Sequence, residues 1–249
     1  MKLVVLGSGA VLSKTRACSG FLVESGKAKL IVDLGSGAFL NLKKASDMME
    51  ISNVLLTHYH PDHTSDLATF LEYKIVMQKS LGSKSLPQLN VLGPKGLNDF
   101  LAKLNETFPL LKEASFKIIT KELENSFVMV PGFRVKSMQM NHDNAIAYRV
   151  EAEGKSFVFS GDTAYTENLV SLAHKANLLV ADCSFPDNRP SSSHMTPLQC
   201  AAIAKEADVE SLLLTHFYPE IESEPLEKIV SSVYKGKIYV ANDLMKLEI

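Results

Sequence analysis

The sequence predicts an α/β fold in which β-sheets are sandwiched between helices. Short apolar runs alternate with helix-like stretches in the first and last thirds of the chain, whereas residues 115–160 are almost entirely strand-like and carry turn signals. No long linker rich in proline, glycine and serine separates these regions; the longest loose stretches are Gly82–Pro87 and Asp187–Ser193. We therefore expect one domain that spans residues 1–249.

Thirteen short apolar runs are strand candidates, and the strand-rich middle of the chain has turn signals between them. These signals lie at Pro131-Gly132, at Asn141–Asn144 and at Glu153-Gly154. The predicted strands are Leu3–Leu6, Gly20–Val23, Lys29–Val32, Val54–Thr57, Gln88–Leu92, Phe116–Ile119, Phe127–Val130, Arg134–Met140, Ala145–Val150, Ser156–Ser160, Leu178–Ala181, Ser211–Thr215 and Lys237–Val240.

Six longer stretches predict helices. The last two have a proline early in the helix, after Thr196 and Glu224, which is typical of a helix N-terminus because proline lacks only an N–H that would have no partner there. The predicted helices are Gly37–Met48, Ser65–Ser80, Gly96–Asn105, Glu167–His174, Pro197–Ala207 and Pro225–Tyr234.

The composition excludes several classes of protein. A chain of 249 residues that is 46% hydrophobic can bury a sizeable core, which argues against intrinsic disorder. The 26 basic and 28 acidic residues nearly balance, so the net charge does not indicate binding of nucleic acid. A local basic patch is compatible with this balance. No apolar run approaches the roughly 20 residues that span a bilayer. The three cysteines are widely spaced, which favours reduced thiols and a cytoplasmic enzyme without a membrane partner.

Imidazole and carboxylate side chains follow several of the predicted strands. Four of them come directly after Val54–Thr57, and single residues follow three other strands. Because ligands collect at the carboxyl ends of strands in open α/β sheets, we expect these side chains to converge. The residues concerned are His58, His60, Asp62, His63, His142, Asp162 and His216.

The cluster His58-x-His60-x-Asp62-His63 predicts a metal site, with a solvated histidine-rich loop as the alternative. Protonated imidazoles this close would repel, whereas neutral imidazoles and an ionised carboxylate are what a divalent metal requires. In a turning loop, His58 and His60 can face one centre while Asp62 and His63 face another. Nitrogen with oxygen donors fits Zn²⁺ first, with Mn²⁺ or Fe²⁺ as alternatives.

The segment from Thr57 to His63, together with His142, Gly161-Asp162-Thr163 and Thr215-His216, resembles the metallo-β-lactamase superfamily. The resemblance covers the chain from its first strand to His216 and implies a four-layer αββα sandwich with mixed β-sheets and a dinuclear site at one edge. It further implies that His58, His60 and His142 hold one metal, that Asp62, His63 and His216 hold the other, and that Asp162 bridges the two.

Two further segments resemble the phosphodiesterase branch of that superfamily, which includes the tRNA-processing endonuclease RNase Z. They are Ser193-His194-Met195-Thr196 and the segment from Leu179 to Phe185. The resemblance implies that His194 assists the phosphate and that Asp182 orients His194. The alternatives are that His194 is an ordinary loop residue and that Asp182 caps its strand.

The chain departs from RNase Z in two ways. Only 20 positions separate His142 from Asp162, and these read as a hairpin around Glu153-Gly154 with no room for a tRNA-binding arm. The last ligand is followed by Phe217-Tyr218-Pro219-Glu220 rather than by a serine-arginine-tyrosine pattern. A small phosphodiester, either a cyclic nucleotide or a nucleotide-derived diester, is therefore the preferred substrate.

The expected mechanism is attack on phosphorus by a hydroxide shared between two metal ions. Asp62 could also accept the proton of the water, and His194 would stabilise the phosphoryl oxygens or protonate the leaving alkoxide. The alternatives are an RNase Z-like tRNA 3′ endonuclease, an acyl hydrolase such as a lactonase or thioesterase, and a metal-binding sensor without turnover. Family resemblance alone suggests a homodimer.

Overall fold

A computed structural model describes residues 1–80, 87–109 and 112–249 of the chain. The described residues form two mixed seven-stranded sheets flanked by helices, which is the predicted αββα sandwich. The loose stretch predicted at Gly82–Pro87 lies, apart from Pro87, outside the described residues.

The first sheet has the order β14-β1-β2-β3-β4-β5-β6. Its strands from β14 to β3 are antiparallel, and those from β3 to β6 are parallel, so the sheet is mixed. The strands are β1 (Lys2–Gly7), β2 (Gly20–Ser25), β3 (Ala28–Leu34), β4 (Asn53–Leu55), β5 (Leu89–Gly93), β6 (Ile118–Glu122) and β14 (Lys246–Glu248).

The second sheet has the order β13-β12-β11-β10-β9-β8-β7. Here β7 to β10 are antiparallel and β10 to β13 are parallel, so Asp182 and Thr215 are paired neighbours at the ends of β11 and β12. The strands are β7 (Phe127–Val130), β8 (Phe133–Gln139), β9 (Ile146–Ala152), β10 (Lys155–Phe159), β11 (Leu178–Asp182), β12 (Ser211–Thr215) and β13 (Lys237–Val240).

Helices cover the outer face of each sheet. The first sheet is covered by α1, α3 and α4, and the second by α5, α6 and α7. The helices are α1 (Ala38–Ala45), α2 (Pro61–Thr64), α3 (Leu67–Ser80), α4 (Leu97–Thr107), α5 (Glu167–Ala173), α6 (Pro197–Glu206) and α7 (Leu226–Ser231), with a 3₁₀ turn at Met48–Glu50.

Alternation along β1 shows how the layers are held together. Leu3 and Val5 point into the core between the two sheets, whereas Val4 and Leu6 pack against the helices outside the first sheet. Between the sheets, the rings of Phe21 and Phe159 lie 5.4 Å apart. Because inner strands such as β1, β11 and β12 are buried on both faces, they read in the sequence as continuous apolar runs.

The structure corrects several sequence-based boundaries. The helix predicted at Ser65–Ser80 is preceded by a separate short helix, α2, and β14 was not predicted because three residues give too little alternation to detect. The expected N-terminus at Thr196 is a capping box with Gln199, as the sequence indicated. At the other proline, the prediction was wrong by one position, since Pro225 is the N-cap and the helix begins at Leu226.

Two other expectations concern the membrane and the cysteines. Within the described ranges, no helix combines the length and the apolar character that crossing a membrane requires. All three cysteines are free thiols, and Cys183 and Cys200 are buried.

A buried lysine, Lys74 of α3, joins this helix to the turn before β4. Its ammonium group donates to the carbonyl oxygens of Met48 and Ile51 at 3.1 and 2.9 Å and lies near that of Met49 at 3.5 Å. Burial lowers the pKa of Lys74 from 10.5 to about 8, although the carboxylate of Asp47 opposes the shift. The folded protein therefore gives up this proton at a lower pH than the unfolded chain does.

We expect the stability advantage of the wild type over Lys74→Met to grow as the pH rises from about 8 toward 10.5. Below this window, Lys74 is charged in both states and the cost of burying the charge is present in full; inside it, only the unfolded chain holds the proton, so the free energy of unfolding rises with pH. Urea unfolding of both proteins at several pH values measures the difference. Lys79→Met, in the exposed last turn of the same helix, is the control. A gap between wild type and Lys74→Met that stays constant with pH would contradict the prediction.

Candidate metal centre

The loop between β4 and α2 delivers four of the predicted ligands. His58 lies just beyond β4, His60 is the N-cap of α2, and Pro61 occupies the first turn, so Asp62 and His63 lie in the helix itself. The residue between the first two histidines, Tyr59, turns away and donates to the carbonyl of Pro94. The change from strand to helix therefore turns the four ligand side chains toward the same side of the loop.

The first ligand group consists of His58, His60, His142 and Asp162, whose ligand atoms lie within 4.8 Å of one another. His60 Nδ1 lies 3.1 Å from His58 Nε2 and 3.4 Å from His142 Nε2. His58 Nε2 is 3.6 Å from Asp162 Oδ2. His60 is exposed and His142 half-buried, so this group is open to solvent on one side.

The second ligand group consists of Asp62, His63 and His216, all of them buried. His63 Nε2 and His216 Nε2 are 3.3 Å apart, and Asp62 Oδ2 is 3.4 Å from His216 Nε2. Both of these nitrogens also face Asp162 Oδ1, at 3.1 and 3.4 Å. Asp162 therefore turns one carboxylate oxygen toward each group.

The outer nitrogens of His58 and His63 are held by one carboxylate–hydroxyl pair from the first sheet. Thr57 donates its only hydroxyl proton to Asp33 Oδ2 at 2.8 Å, so its oxygen accepts from His58 Nδ1 at 3.1 Å. His63 Nδ1 donates to the same Asp33 oxygen at 2.8 Å. Both imidazoles are thereby fixed with Nδ1 protonated, and Nε2 faces the cluster with its lone pair.

A second carboxylate–hydroxyl pair holds His216 from the second sheet. Ser184 donates its hydroxyl proton to Asp182 Oδ1, and its oxygen accepts from His216 Nδ1 at 2.9 Å. His216 Nε2 therefore also faces inward as an acceptor. His142 differs, because its outer Nδ1 is buried and has no hydrogen-bond partner in the described part of the chain.

This donor set fits a divalent cation. Lone pairs and carboxylate oxygens converge within hydrogen-bond range of one another, and the outer contacts of His58, His63 and His216 place the proton of each neutral ring on Nδ1, which leaves Nε2 to bind a cation. Burial and the neighbouring His63 lower the pKa of His58 far below its usual range. Burial would raise the pKa of Asp162, yet His216 and His63 keep it well below the ordinary value, so Asp162 is a carboxylate. These are the protonation states that metal ligands require.

His63 and His216 show what the cluster does without a cation. Burial opposes protonation of both rings, but Asp162 and the other carboxylates beside them raise each pKa well above its ordinary value. The second ligand group therefore requires a positive charge. Either protons on His63 and His216 or a metal ion can provide it, so the two compete for the same nitrogens.

His194 lies beside the two ligand groups. Its Nδ1 donates to Asp182 Oδ2 at 2.9 Å and is 4.0 Å from Asp162 Oδ2, and its ring lies parallel to that of His216 with centroids 5.5 Å apart. Although burial opposes it, the contact with Asp182 raises the pKa of His194. Nε2 of His194 has no hydrogen-bond partner among the residues described, so this atom remains available to a substrate.

Two backbone conformations at the centre are strained. Asp33 and His216 adopt φ values of 58° and 61°, a left-handed region that residues other than glycine rarely occupy. Gly161, before Asp162, has φ 57°, and a Cβ there would lie 2.9 Å from Thr57 Cβ. The hydrogen bonds of Asp33 with Thr57 and of His216 with Ser184 hold the strained backbone in place.

The sequence analysis found the residues that converge but missed two that orient them. Ser184 lies in the segment from Leu179 to Phe185, but the sequence assigned no role to it or to Asp33. The single available signal for Asp33 was a carboxylate at the end of an apolar strand. A third group of ligand atoms within 4.8 Å of one another joins Asp162 and His216 to Asp182 and His194. His174 ends α5, where its carbonyl accepts from Arg149, and it lies outside all three groups.

Comparisons with known proteins agree with this fold. A model of the beta-lactamase superfamily domain matches residues 16–217. A probable metallo-hydrolase of Bacillus subtilis, YhfI, is 26% identical over 257 residues and 97% of each chain is covered. The crystal structure of YhfI, a metallo-beta-lactamase fold protein, matches with a TM-score of 0.88 at 24% identity over 100% of this chain and 99% of that one.

Two further matches are ribonucleases. A ribonuclease Z of Mycobacterium bovis is 26% identical over 281 aligned positions, which cover 100% of this chain and 98% of the relative. Human tRNase Z, short form, has a TM-score of 0.80 at 23% identity and covers 100% of this chain and 99% of its own. Since the alignment with the Mycobacterium enzyme is longer than the 249 residues of this chain, that relative contains insertions that this chain lacks.

We expect Asp33→Asn to weaken zinc binding by roughly 10- to 100-fold, the usual cost of losing an outer-shell partner. An amide can still accept from the backbone N–H of Thr57, but its NH₂ group would face His63 Nδ1 and favour the tautomer whose Nε2 carries the proton. Competition with a chromogenic chelator measures the affinity. Asp66→Asn is the control, because Asp66 accepts from the backbone of Phe39 and is outside the candidate metal groups. Equal zinc affinity in wild type and Asp33→Asn would refute this role.

Proposed function

We propose that this protein hydrolyses a small phosphodiester. The chain belongs to the beta-lactamase superfamily and is a metal-dependent hydrolase of that superfamily. All of residues 1–249 would act as one hydrolase domain. The observation that carries the proposal is the pair of His194 and Asp182 beside the two ligand groups, in addition to a complete set of ligands. A sensor without turnover would need no such pair.

The ligand assignment follows the two groups. His58, His60 and His142 would hold one divalent ion; Asp62, His63 and His216 would hold the other, and Asp162 would contribute one oxygen to each. Zinc fits this mixture of imidazole and carboxylate donors first, with manganese or iron as alternatives. When bound, the ions would supply Lewis acidity toward a phosphate and acidify water near neutral pH.

His194 supports phosphoryl rather than acyl transfer. Because Asp182 holds Nδ1 of His194, the opposite nitrogen can donate to a phosphoryl oxygen or to the departing alkoxide. A diester needs such help, since its alkoxide leaves poorly as an anion. Asp62, ionised and buried beside His216, could accept the proton of the attacking water. A thioester, the substrate of one acyl alternative, would need this donor less, because a thiolate leaves more readily than an alkoxide.

A small substrate is favoured by the chain between His142 and Asp162. Strands β9 and β10 fill most of it, and the two-residue turn Glu153-Gly154, with φ values of 52° and 72°, joins them. Nothing projects from this hairpin to hold a folded RNA. The exposed side of His60 is the open approach to the ligands, and it suits a diester such as a cyclic nucleotide or another nucleotide derivative.

An RNase Z-like endonuclease is the second candidate, and one finding favours it. Ribonuclease Z relatives align with the whole of this chain, so the common fold and the candidate ligands are compatible with that activity. Against it stand the insertions that the relative has and this chain lacks, and the near balance of charge. Nucleic acid therefore remains the alternative partner, and a homodimer stays a prediction.

We expect His194→Ala to lower kcat on a 2′,3′-cyclic nucleotide by roughly 10²- to 10⁴-fold, because an alkoxide leaves and needs a proton donor. The loss on bis(p-nitrophenyl) phosphate should be smaller, since p-nitrophenolate leaves without a proton. Metal content should stay near that of the wild type. His174→Ala is the matched control, because that residue lies at the end of α5 outside the candidate metal groups.

Each outcome of this experiment has a distinct meaning. Equal losses on both substrates would show that His194 binds phosphate and does not protonate the leaving group, and full activity of the variant would remove His194 from the mechanism. Parallel assays on a lactone, a thioester and a precursor tRNA test the other candidates. Wild-type turnover on one of these and not on the diesters would refute the proposal.

A further inference from the structure

A pair of aromatic rings next to His194 has no part in the chemistry described so far. Phe185 and Tyr218 are stacked, with centroids 4.9 Å apart and planes 23° from parallel. Each ring lies 5.8 Å from His194, edge-on to the imidazole. Tyr218 is also 5.9 Å from His216, so the pair lies at the border of the second ligand group.

The backbone holds both rings in these places. Phe185 follows Ser184, and the N–H groups of both residues donate to the carbonyl of Met195, the neighbour of His194. Tyr218 follows Phe217, whose backbone pairs with Ser8 and Ala10. The loop after β11 and the loop after β12 therefore present one ring each toward the same point.

The pair does not contribute to the hydrophobic cores. Phe185 and Tyr218 are half-buried, and neither is a member of either core or packs against one, as judged from the described residues. By contrast, the stacked pair of Tyr59 and Phe100 packs against the core of the first sheet. The hydroxyl of Tyr218 has no hydrogen-bond partner in the described ranges. Two partly exposed rings that core packing does not require are available to a ligand.

We propose that Phe185 and Tyr218 form a subsite that stacks the nucleobase of a nucleotide substrate whose phosphate faces His194. The inference rests on the proposed phosphodiesterase function and names the residues that would hold the base of a nucleotide diester. Every base offers a π-face, so such stacking is strong and tolerant of base identity. The free hydroxyl of Tyr218 adds one donor and acceptor for the edge of the base.

Charge and size favour this occupant over an apolar chain. The rings adjoin a site that would attract an anion once it holds metal ions, and a nucleotide joins a flat aromatic group to a phosphate through a short sugar linker. A lipid tail would need a longer apolar surface, and the neighbours of the pair are instead His194, His216 and the loop carbonyl of Met195.

The kinetic test compares two diesters with the same leaving group, thymidine 5′-p-nitrophenyl phosphate and methyl p-nitrophenyl phosphate. We expect the wild type to prefer the nucleotide in kcat/KM, and Tyr218→Ala to lower this preference by roughly 5- to 150-fold, the range that corresponds to loss of one stacked base. Tyr218→Phe should keep most of the preference. Tyr73→Ala, which removes a half-buried tyrosine packed on the outer core, should keep all of it.

A binding measurement separates this inference from the proposed reaction. Calorimetry with the metal-loaded protein should give tighter binding of adenosine 5′-monophosphate than of methyl phosphate, and Tyr218→Ala should abolish the difference. A wild type that does not distinguish the two ligands would overturn the subsite, even if it cleaves diesters. Equal losses for both ligands in Tyr218→Ala would overturn it as well, because the rings would then only position His194. Absence of diester cleavage with intact nucleotide selectivity would instead refute the proposed reaction.

Discussion

The structure depends on the cluster of ligand side chains around Asp162, which requires a positive charge to be stable. Imidazole lone pairs and carboxylates meet there at 3.1 to 3.6 Å, and either protons or metal ions must supply the positive charge that balances them. Such a cluster would be expelled or protonated if the side chains were free to rotate. The fold prevents rotation by holding the outer atoms of the rings, so the geometry exists before a cation arrives.

Both sheets hold ligand histidines with the same arrangement of a carboxylate and a hydroxyl group. In the first sheet, Thr57 donates to Asp33 and thereby accepts from a ligand histidine; in the second, Ser184 donates to Asp182 and accepts from another. Each hydroxyl has one proton, and the carboxylate takes it, so the tautomer of the neighbouring imidazole follows. The second carboxylate additionally holds His194, which makes Asp182 the link between the candidate ligands and the candidate acid.

The sequence predicted the layers and the converging ligands because both leave local signals. Strands buried on two faces read as apolar runs, and His58 to His63 lie within six positions. Asp33 could not be found in this way, since it meets His63 from 30 positions away and only the pairing of β3 with β4 brings them together. No sequence pattern distinguishes Ser184, because a serine that bonds to Asp182 and His216 has the same local sequence signal as any serine in a loop. The ring pair of Phe185 and Tyr218 depends in the same way on the parallel pairing of β11 and β12.

The short turn at Glu153-Gly154 has a practical consequence. Strand β10 runs from this turn toward Asp162, so its five residues separate the turn by about 16 Å from the end of the strand that leads to the ligands. Both turn residues are exposed, and a side chain added at Gly154 would meet nothing within 4 Å. A peptide tag inserted there would lie away from the substrate approach. A molecule anchored to a surface through this tag would turn its exposed His60 toward the solution.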